Sequence, residues 1–161
     1  MSDPLSSDIL EEQFGPTVVK VLAQDVDRRV ISTLAGGQAL EFSMVTFSRG
    51  AAAAYPEVRR DISGGMSMGK AFRGRGIPFE RRTRAVYSYD LRGGFRGRFG
   101  ADGPATVVEV SVLAGKDAMP YADILEVYAP GVDWPEPGTS PTPRLKTRLD
   151  SFDKLLTELG H

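Results

Sequence analysis

The stretch RRVISTLAGGQALEFSMVTF (residues 28–47) joins two runs rich in β-branched and aromatic residues through a pair of glycines. Runs of this composition favour β-strands. Gly36-Gly37 can adopt the positive φ angles that a tight hairpin turn requires. Residues 28–34 and 39–47 are therefore predicted to form an antiparallel hairpin.

Segments on both sides of this hairpin extend the prediction to a whole sheet. Four more strands are predicted, over residues 17–22, 82–91, 106–113 and 122–128. Helices are predicted at residues 7–14 and 51–60, and the glycine-rich residues 69–78 are predicted to be a loop. The predicted fold class is α+β, with a single antiparallel, meander-like sheet of about six strands and flanking helices.

The C-terminal part of the chain differs in composition from the rest. Residues 133–143 contain four prolines and one glycine, which is typical of a semi-rigid linker. An apolar stripe at helical spacing follows, formed by Leu145, Leu149, Phe152, Leu156 and Leu159. The sequence thus predicts a domain (1–132), a linker (133–143) and an amphipathic helix (144–161). We expect the helix to pack on its own sheet, and exchange onto a second subunit is the alternative.

The composition excludes several classes of site. The chain has no cysteine, and its single histidine is the last residue, His161. Disulfides, thiolate metal sites and cysteine nucleophiles are therefore excluded, and no metal or cofactor is expected. Residues 1–13 lack the basic and apolar regions of a signal sequence, and no run approaches the roughly 18 apolar residues of a membrane span. The expected location is cytoplasmic, with no membrane partner.

The net charge is only −1, but the charges are unevenly distributed along the chain. Residues 59–98 contain 11 basic and 3 acidic side chains. Residues 1–58 contain 4 basic and 8 acidic ones, and residues 99–161 contain 5 and 10. The basic block either neutralises its acidic flanks within the fold or attracts an anionic ligand.

Two basic, glycine-containing motifs admit further interpretations. GGMSMGK (residues 64–70) has the spacing of a phosphate-binding loop, but Ala71 stands where a magnesium-binding hydroxyl is required. A flexible loop or lid is the favoured interpretation. RGRG (73–76) and RGGFRGRF (92–99) resemble RNA-binding segments. Both are short and lie between strands, so surface turns are favoured over nucleic-acid binding.

Charged residues also occur inside predicted strands. Arg28 and Arg29 begin the second strand, and Glu126 interrupts the apolar run ILEVY (residues 124–128). A glutamate at such a position either faces solvent or is buried with a partner. If Arg29 and Glu126 face one cavity, they form a site for a carboxylate and a hydroxyl together.

Over residues 5–130 the chain resembles the chorismate lyase superfamily, which includes the effector-binding domains of GntR-type transcription regulators. Short motifs carry the resemblance: SDILEEQFGPTVVKVL (7–22), RVI (29–31), GG (36–37), LEFS (40–43), MG (68–69), RR (81–82) and ILEVYAP (124–130). They correspond to the family's opening helix and strand, its arginine-led hairpin, the turn before its next strand and its final strand.

The resemblance implies an internal ligand cavity under mobile flaps. In the lyases of this superfamily, chorismate loses pyruvate without a cofactor and gives 4-hydroxybenzoate. By resemblance, Arg29 binds a substrate carboxylate and Glu126 contacts the ring oxygen, and these two are the expected catalytic residues. Lyases carry a second arginine on the third strand, where this chain has Ser43 or Met44. The expected substrate-binding residues are Arg28, Ser43, Arg49, Arg82 and Arg84, and the expected lid residues are Gly64, Gly65, Gly69 and Lys70.

Three functions stay open at this point. The first is a cofactor-independent lyase or a related enzyme acting on a small carboxylated cyclic ligand. The second is a non-catalytic module that binds a small anion or effector, which the missing second arginine favours over a strict lyase. The third is an RNA-associated domain that uses the Arg-Gly turns. The expected partner is a small anion, and the chain is expected to be a monomer or a homodimer.

Overall fold

The computed structural model describes residues 5–161, including every side chain among them except that of Ala52. The strands are β1 (Val18–Gln24), β2 (Arg28–Ala35), β3 (Gln38–Phe47), β4 (Phe79–Asp90), β5 (Pro104–Ala114) and β6 (Met119–Tyr128). The helices are α1 (Ser6–Phe14), α2 (Ala51–Ala54), α3 (Pro56–Ser63), α4 (Met68–Gly74), α5 (Gly93–Phe99) and α6 (Pro143–Glu158). Among residues 5–161, no helix combines the length and hydrophobicity required to cross a bilayer.

The six strands form one antiparallel sheet, as the sequence predicted, in the order β1-β2-β3-β6-β5-β4. The sheet is not one continuous meander. Each half of the chain forms a three-stranded meander, and the two meanders are joined where β3 pairs with β6. The connection from β3 to β4 contains α2, α3 and α4, and it places β4 at the edge opposite β1.

One face of the sheet carries most of the buried polar side chains. Ile31 of β2 pairs with Ser43 of β3, which pairs in turn with Glu126 of β6. Directly paired residues of neighbouring strands point to the same face. Glu41 therefore shares this face, because it lies two residues before Ser43 on β3. We call this the inner face.

Aromatic side chains cover the opposite, outer face. Phe42 of β3 contacts Phe95 and Phe99 of α5, with ring centroids 6.5 and 5.2 Å apart. Phe95 also contacts Phe152 of α6 at 5.6 Å. The apolar stripe of α6 is buried in the same core, so this helix packs on its own chain. Its first turn is capped by the Thr142 hydroxyl, which accepts a hydrogen bond from the backbone N–H three residues on.

Two glycine-rich segments form helices where the sequence predicted a loop and turns. α4 overlaps the predicted loop at residues 69–78, and it buries Met68, Ala71 and Phe72 on one side. α5 lies within the Arg-Gly segment 92–99, and it buries Phe95 and Phe99, which are one helical turn apart. Glycine destabilises a helix by roughly 1 kcal/mol per residue relative to alanine. Burial of these apolar side chains outweighs that cost.

The predicted helix at residues 51–60 is divided into α2 and α3 at Tyr55-Pro56. Proline lacks a backbone N–H, and it disfavours helical geometry in the residue before it. Tyr55 accordingly adopts φ −139° and ψ 73°, and Pro56 begins α3.

The proline-rich segment before α6 runs along the edge strand β4. The backbone N–H of Thr139 donates to the carbonyl of Val86 at 3.0 Å, and its carbonyl accepts from the N–H of Ser88 at 2.9 Å. Gly138 packs directly on the backbone of β4. This segment is therefore bound to the sheet rather than free in solvent.

Candidate functional site

A pocket lies between the inner face of the sheet and the first residues of α1 and α4. Its volume is about 60 Å³, enough for about two water molecules at roughly 30 Å³ each. Its apolar wall is formed by Ile31, Val45, Phe79, Val112 and Ile124. Its polar side chains are Ser6, Ser7, Arg29, Glu41, Ser43, Ser67, Arg81 and Glu126. Residues 5–7 and 67–69, which we call the cover, close its outer side.

Arg29 lies on β2 and is only 1% exposed. Its Nη2 donates to the backbone carbonyl of Met66 at 3.2 Å, and within residues 5–161 its Nε has no hydrogen-bond partner. In that same part of the chain, no carboxylate forms an ion pair with Arg29. Burial and the positive charge of Arg59 lower the pKa of Arg29 to about 10. The pocket therefore contains a buried cation, which remains charged at neutral pH.

Glu126 of β6 is buried and paired with Arg81 of β4. Arg81 Nη1 donates to Glu126 Oε2 at 2.9 Å, and Arg81 Nη2 donates to Glu126 Oε1. Burial alone would lower the pKa of Arg81, but the charge and hydrogen bonds of Glu126 raise it. Both carboxylate oxygens of Glu126 are thus engaged by one guanidinium in a two-pronged pair.

Glu41 of β3 provides a second buried carboxyl group, with 2% exposure. Its Oε1 accepts a hydrogen bond from the Thr33 hydroxyl at 2.8 Å, whereas its Oε2 has no partner among the described residues. Burial raises the pKa of Glu41 to about 8, and repulsion from Glu126 adds to this effect. The Thr33 hydrogen bond, the charge of Arg81 and the nearby Tyr128 hydroxyl oppose the rise in pKa only in part. Glu41 is therefore mostly protonated and neutral at pH 7.

The structure brings four residues predicted for the site to this pocket. Arg29 and Glu126 both line it, as does Ser43, which pairs directly with Glu126 across β3 and β6. Gly69 belongs to the cover, where an added Cβ would lie 2.6 Å from a methyl carbon of Leu5. The absence of a side chain at Gly69 allows α4 to approach the start of α1 closely.

The other predicted arginines lie outside the pocket. Arg28 is exposed at the start of β2, and Arg49 is exposed in the turn between β3 and α2. Arg82 is exposed and pairs with Glu80 at 3.0 Å. Arg84 donates to the Ser111 hydroxyl at 2.9 Å. These positions do not line the pocket with Arg29.

The remaining predicted lid residues lie at the margin of the pocket or outside it. Gly64 and Gly65 form the turn after α3. Lys70 is exposed and pairs with Glu11 of α1 at 3.1 Å. A second exposed pair, Arg73 with Asp8 at 3.3 Å, also joins α4 to α1. Exposed pairs of this kind contribute about 1 kcal/mol or less each, so they hold the cover only weakly.

Sequence reasoning missed Arg81 and Glu41 as site residues. A β-bulge between Thr83 and Ala85 shifts the register of β4, so strict alternation along residues 82–91 does not extend back to Arg81. Glu41 was detectable in principle, because it alternates with Ser43 and Val45 on the hairpin strand. Its burial depends on the pairing of β3 with β6, which places Tyr128 opposite Glu41, and no local sequence signal reveals that pairing.

Comparisons with known proteins identify the fold. No protein-family model matches the chain, and no curated protein is similar to it in sequence. The possible transcriptional regulator YydK from Bacillus subtilis is a similar solved structure, with 14% identity and a TM-score of 0.58 over 80% of this chain and 63% of that one. The effector domain of PhnF from Mycobacterium smegmatis is 13% identical, with a TM-score of 0.55 over 88% of this chain and 99% of that one.

A GntR-family transcriptional regulator from Bacillus cereus is 8% identical, with a TM-score of 0.52 over 77% of this chain and 99% of that one. At these identities the likeness shows the fold alone. It confirms the predicted fold, which the chain shares with the effector domain of PhnF and with this GntR-family regulator. The chain spans less than two thirds of the length of YydK.

Proposed function

We propose that this chain is a non-catalytic domain that binds a small anionic ligand in the pocket, with Arg29 as the residue that binds the anionic group. One observation carries the proposal. Arg29 is a buried cation that forms no ion pair within residues 5–161. A buried charge without a partner costs several kcal/mol, so a fold that keeps one there is suited to a ligand of opposite charge.

The remaining geometry of the pocket supports a carboxylate or phosphate ligand. A guanidinium can bind either group through two parallel hydrogen bonds, and Arg29 still has an unused N–H at Nε. The apolar wall suits the hydrocarbon body of such a ligand, since small-molecule sites are usually apolar with a few polar contacts. The similarity in fold to an effector domain is consistent with ligand binding.

The lyase interpretation requires Glu126 to contact the substrate. In this structure both oxygens of Glu126 accept hydrogen bonds from Arg81, so this carboxylate is already neutralised. A contact with a substrate oxygen would require the buried pair to separate, which is costly. Binding without chemistry therefore accounts for the arrangement of Glu126 with fewer changes.

The proposal is tested by thermal unfolding with a panel of small carboxylates and phosphates at constant ionic strength. A ligand present at 100 times its Kd stabilises the folded state by about 2.7 kcal/mol, which raises Tm by several degrees. We expect stabilisation of the wild type and of Arg28→Met, but not of Arg29→Met. Arg28→Met is the matched control, because it removes an exposed neighbouring arginine and the same charge.

Two results would contradict the proposal. Equal stabilisation of Arg29→Met and the wild type would show that Arg29 does not bind the anion. Release of pyruvate from chorismate above the uncatalysed rate, abolished by Arg29→Met, would show that the domain is catalytic.

A further inference from the structure

We propose that Glu41 determines which anion binds, by making a hydrogen bond from its Oε2 to an uncharged hydroxyl or carbonyl group at the end of the ligand opposite its charge. This inference rests on the proposed function, since it assumes that the anionic group binds Arg29. The ligand class it predicts is a small, elongated monoanion with a neutral polar group at its far end.

Unsatisfied buried polar atoms identify the ends of this site. Within the described residues, Arg29 Nε, Ser67 Oγ and Glu41 Oε2 are buried and lack hydrogen-bond partners, and all three residues line the pocket. Unpaired buried polar atoms are rare in folded proteins because each costs about 1–3 kcal/mol. Their presence in one pocket indicates a ligand with polar groups in more than one place.

Arg29 and Glu41 lie at different levels along their strands. Arg29 pairs with Val45, which lies four residues after Glu41 on β3. At about 3.3 Å per residue, the two backbone positions are roughly 13 Å apart along the sheet. Ile31 and Ser43, which pair with each other, line the pocket between the two levels. A ligand that reaches both ends is therefore elongated.

Such a ligand is larger than the present pocket of about 60 Å³. The cover must move outward to admit it. The exposed pairs Lys70–Glu11 and Arg73–Asp8 join α4 to α1, and exposed pairs resist such movement only weakly.

The surroundings of Glu41 favour a neutral partner. The groups that face it are Thr33 of β2, Tyr128 and Glu126 of β6, and Arg81 of β4. Arg81 is already bound to Glu126 and adds no free positive charge. A neutral Glu41 can donate a hydrogen bond to a ligand oxygen without placing a second negative charge beside the ligand's own.

Glu126 is the carboxyl group that the family resemblance places on the ligand, but it is occupied by Arg81. Glu41 keeps one oxygen available to the pocket. The structure therefore assigns the contact with the far end of the ligand to Glu41.

The test uses unbranched carboxylates of four to eight carbons, each with and without a terminal hydroxyl group, such as hexanoate and 6-hydroxyhexanoate. Affinities are measured by titration calorimetry at constant ionic strength, at pH 6 and pH 9.5. For the chain length that fits, we expect the hydroxylated form to bind the wild type about five- to tenfold more tightly at pH 6, as one additional hydrogen bond allows. Both forms should bind more weakly at pH 9.5, where Glu41 is ionised.

Two substitutions separate the role of Glu41 from general effects. Glu41→Leu should remove the preference for the hydroxylated form, so that the two forms bind with similar affinity. Glu41→Gln retains a hydrogen-bonding group that cannot ionise, so the preference should remain while the loss of affinity at high pH is reduced. Thermal unfolding of each variant without ligand confirms that it folds.

The outcomes distinguish this inference from the function on which it rests. If Arg29→Met binds as well as the wild type, both proposals are overturned. If no member of either series binds the wild type but another small carboxylate or a phosphate stabilises it through Arg29, only the role of Glu41 is overturned. If carboxylates bind through Arg29 but the wild type shows no preference for the hydroxyl, only the role of Glu41 is overturned. A preference that persists unchanged in Glu41→Leu would overturn it equally.

Discussion

Replacement of Glu41 by glutamine is expected to change how the stability of the protein depends on pH. Burial raises the pKa of Glu41 in the folded chain to about 8, from an ordinary value of 4.5. Between these two pH values the folded state holds a proton that the unfolded chain has released. The stability that this proton contributes is fully present below pH 4.5 and is lost as the pH rises through 8.

The size of the effect follows from the two pKa values. Between them, each pH unit lowers the free energy of unfolding by about 1.4 kcal/mol. Over the interval from 4.5 to about 8, the wild type should lose about 3–5 kcal/mol through this one group. Glu41→Gln keeps a side chain of the same shape, which can accept the hydrogen bond from Thr33, but it has no proton to lose.

The assay is urea-induced unfolding of both proteins at intervals between pH 5 and pH 9. Other titrating groups contribute equally to the two proteins, so the difference between their free energies of unfolding isolates Glu41. We expect the free energy of unfolding of Glu41→Gln, relative to that of the wild type, to rise steadily with pH and to level off above pH 8. A difference that stays constant across this range would show that Glu41 is ionised in the folded protein, and the reasoning about its burial would be wrong.

Two further predictions concern the ion pair of the pocket and the docked linker. Arg81→Met should lower the free energy of unfolding by about 3–5 kcal/mol, because Glu126 stays buried without its partner. The double variant Arg81→Met, Glu126→Leu should recover much of this loss, as measured by urea unfolding. A double variant no more stable than Arg81→Met would contradict the prediction. Gly138→Ala should cost about 1–3 kcal/mol, because the added Cβ would lie 2.9 Å from the Tyr87 carbonyl oxygen. Gly97→Ala, where the added Cβ meets nothing within 4 Å, is the control, and equal changes in Tm for the two glycines would contradict the linker prediction.

The strands could be predicted from the sequence because their signal is local. Alternation and β-branched composition mark each strand, and Gly36-Gly37 marks the first hairpin turn. The pairing of β3 with β6 could not be predicted, since it joins residues about 80 positions apart along the chain. The helices α4 and α5 were missed for a related reason. Their glycines argue against helices locally, whereas Phe72 and Phe95 are buried only once the sheet has formed.

The candidate site was predictable only in part. Arg29 and Glu126 were identified by resemblance to a family, and both line the pocket. The hydrogen-bond partners of the pocket's charged side chains could not be predicted, because the sequence does not show which residues lie beside them in the fold. Arg81 neutralises Glu126 because a bulge in β4 sets its position, and Glu41 has a free oxygen because its strand neighbour Thr33 engages only the other one.

The two edges of the sheet differ, and this difference limits how copies of the chain can associate. At β4, Thr139 occupies the outer backbone groups of Val86 and Ser88. At β1, no strand within residues 5–161 pairs with the outer edge, and Val18 is 68% exposed. An open strand edge can pair with a strand of another molecule, whereas addition at β4 would first have to displace the linker. Edge-to-edge association through β1 therefore joins two copies with their β4 edges outermost, and it stops at a pair instead of growing into a filament.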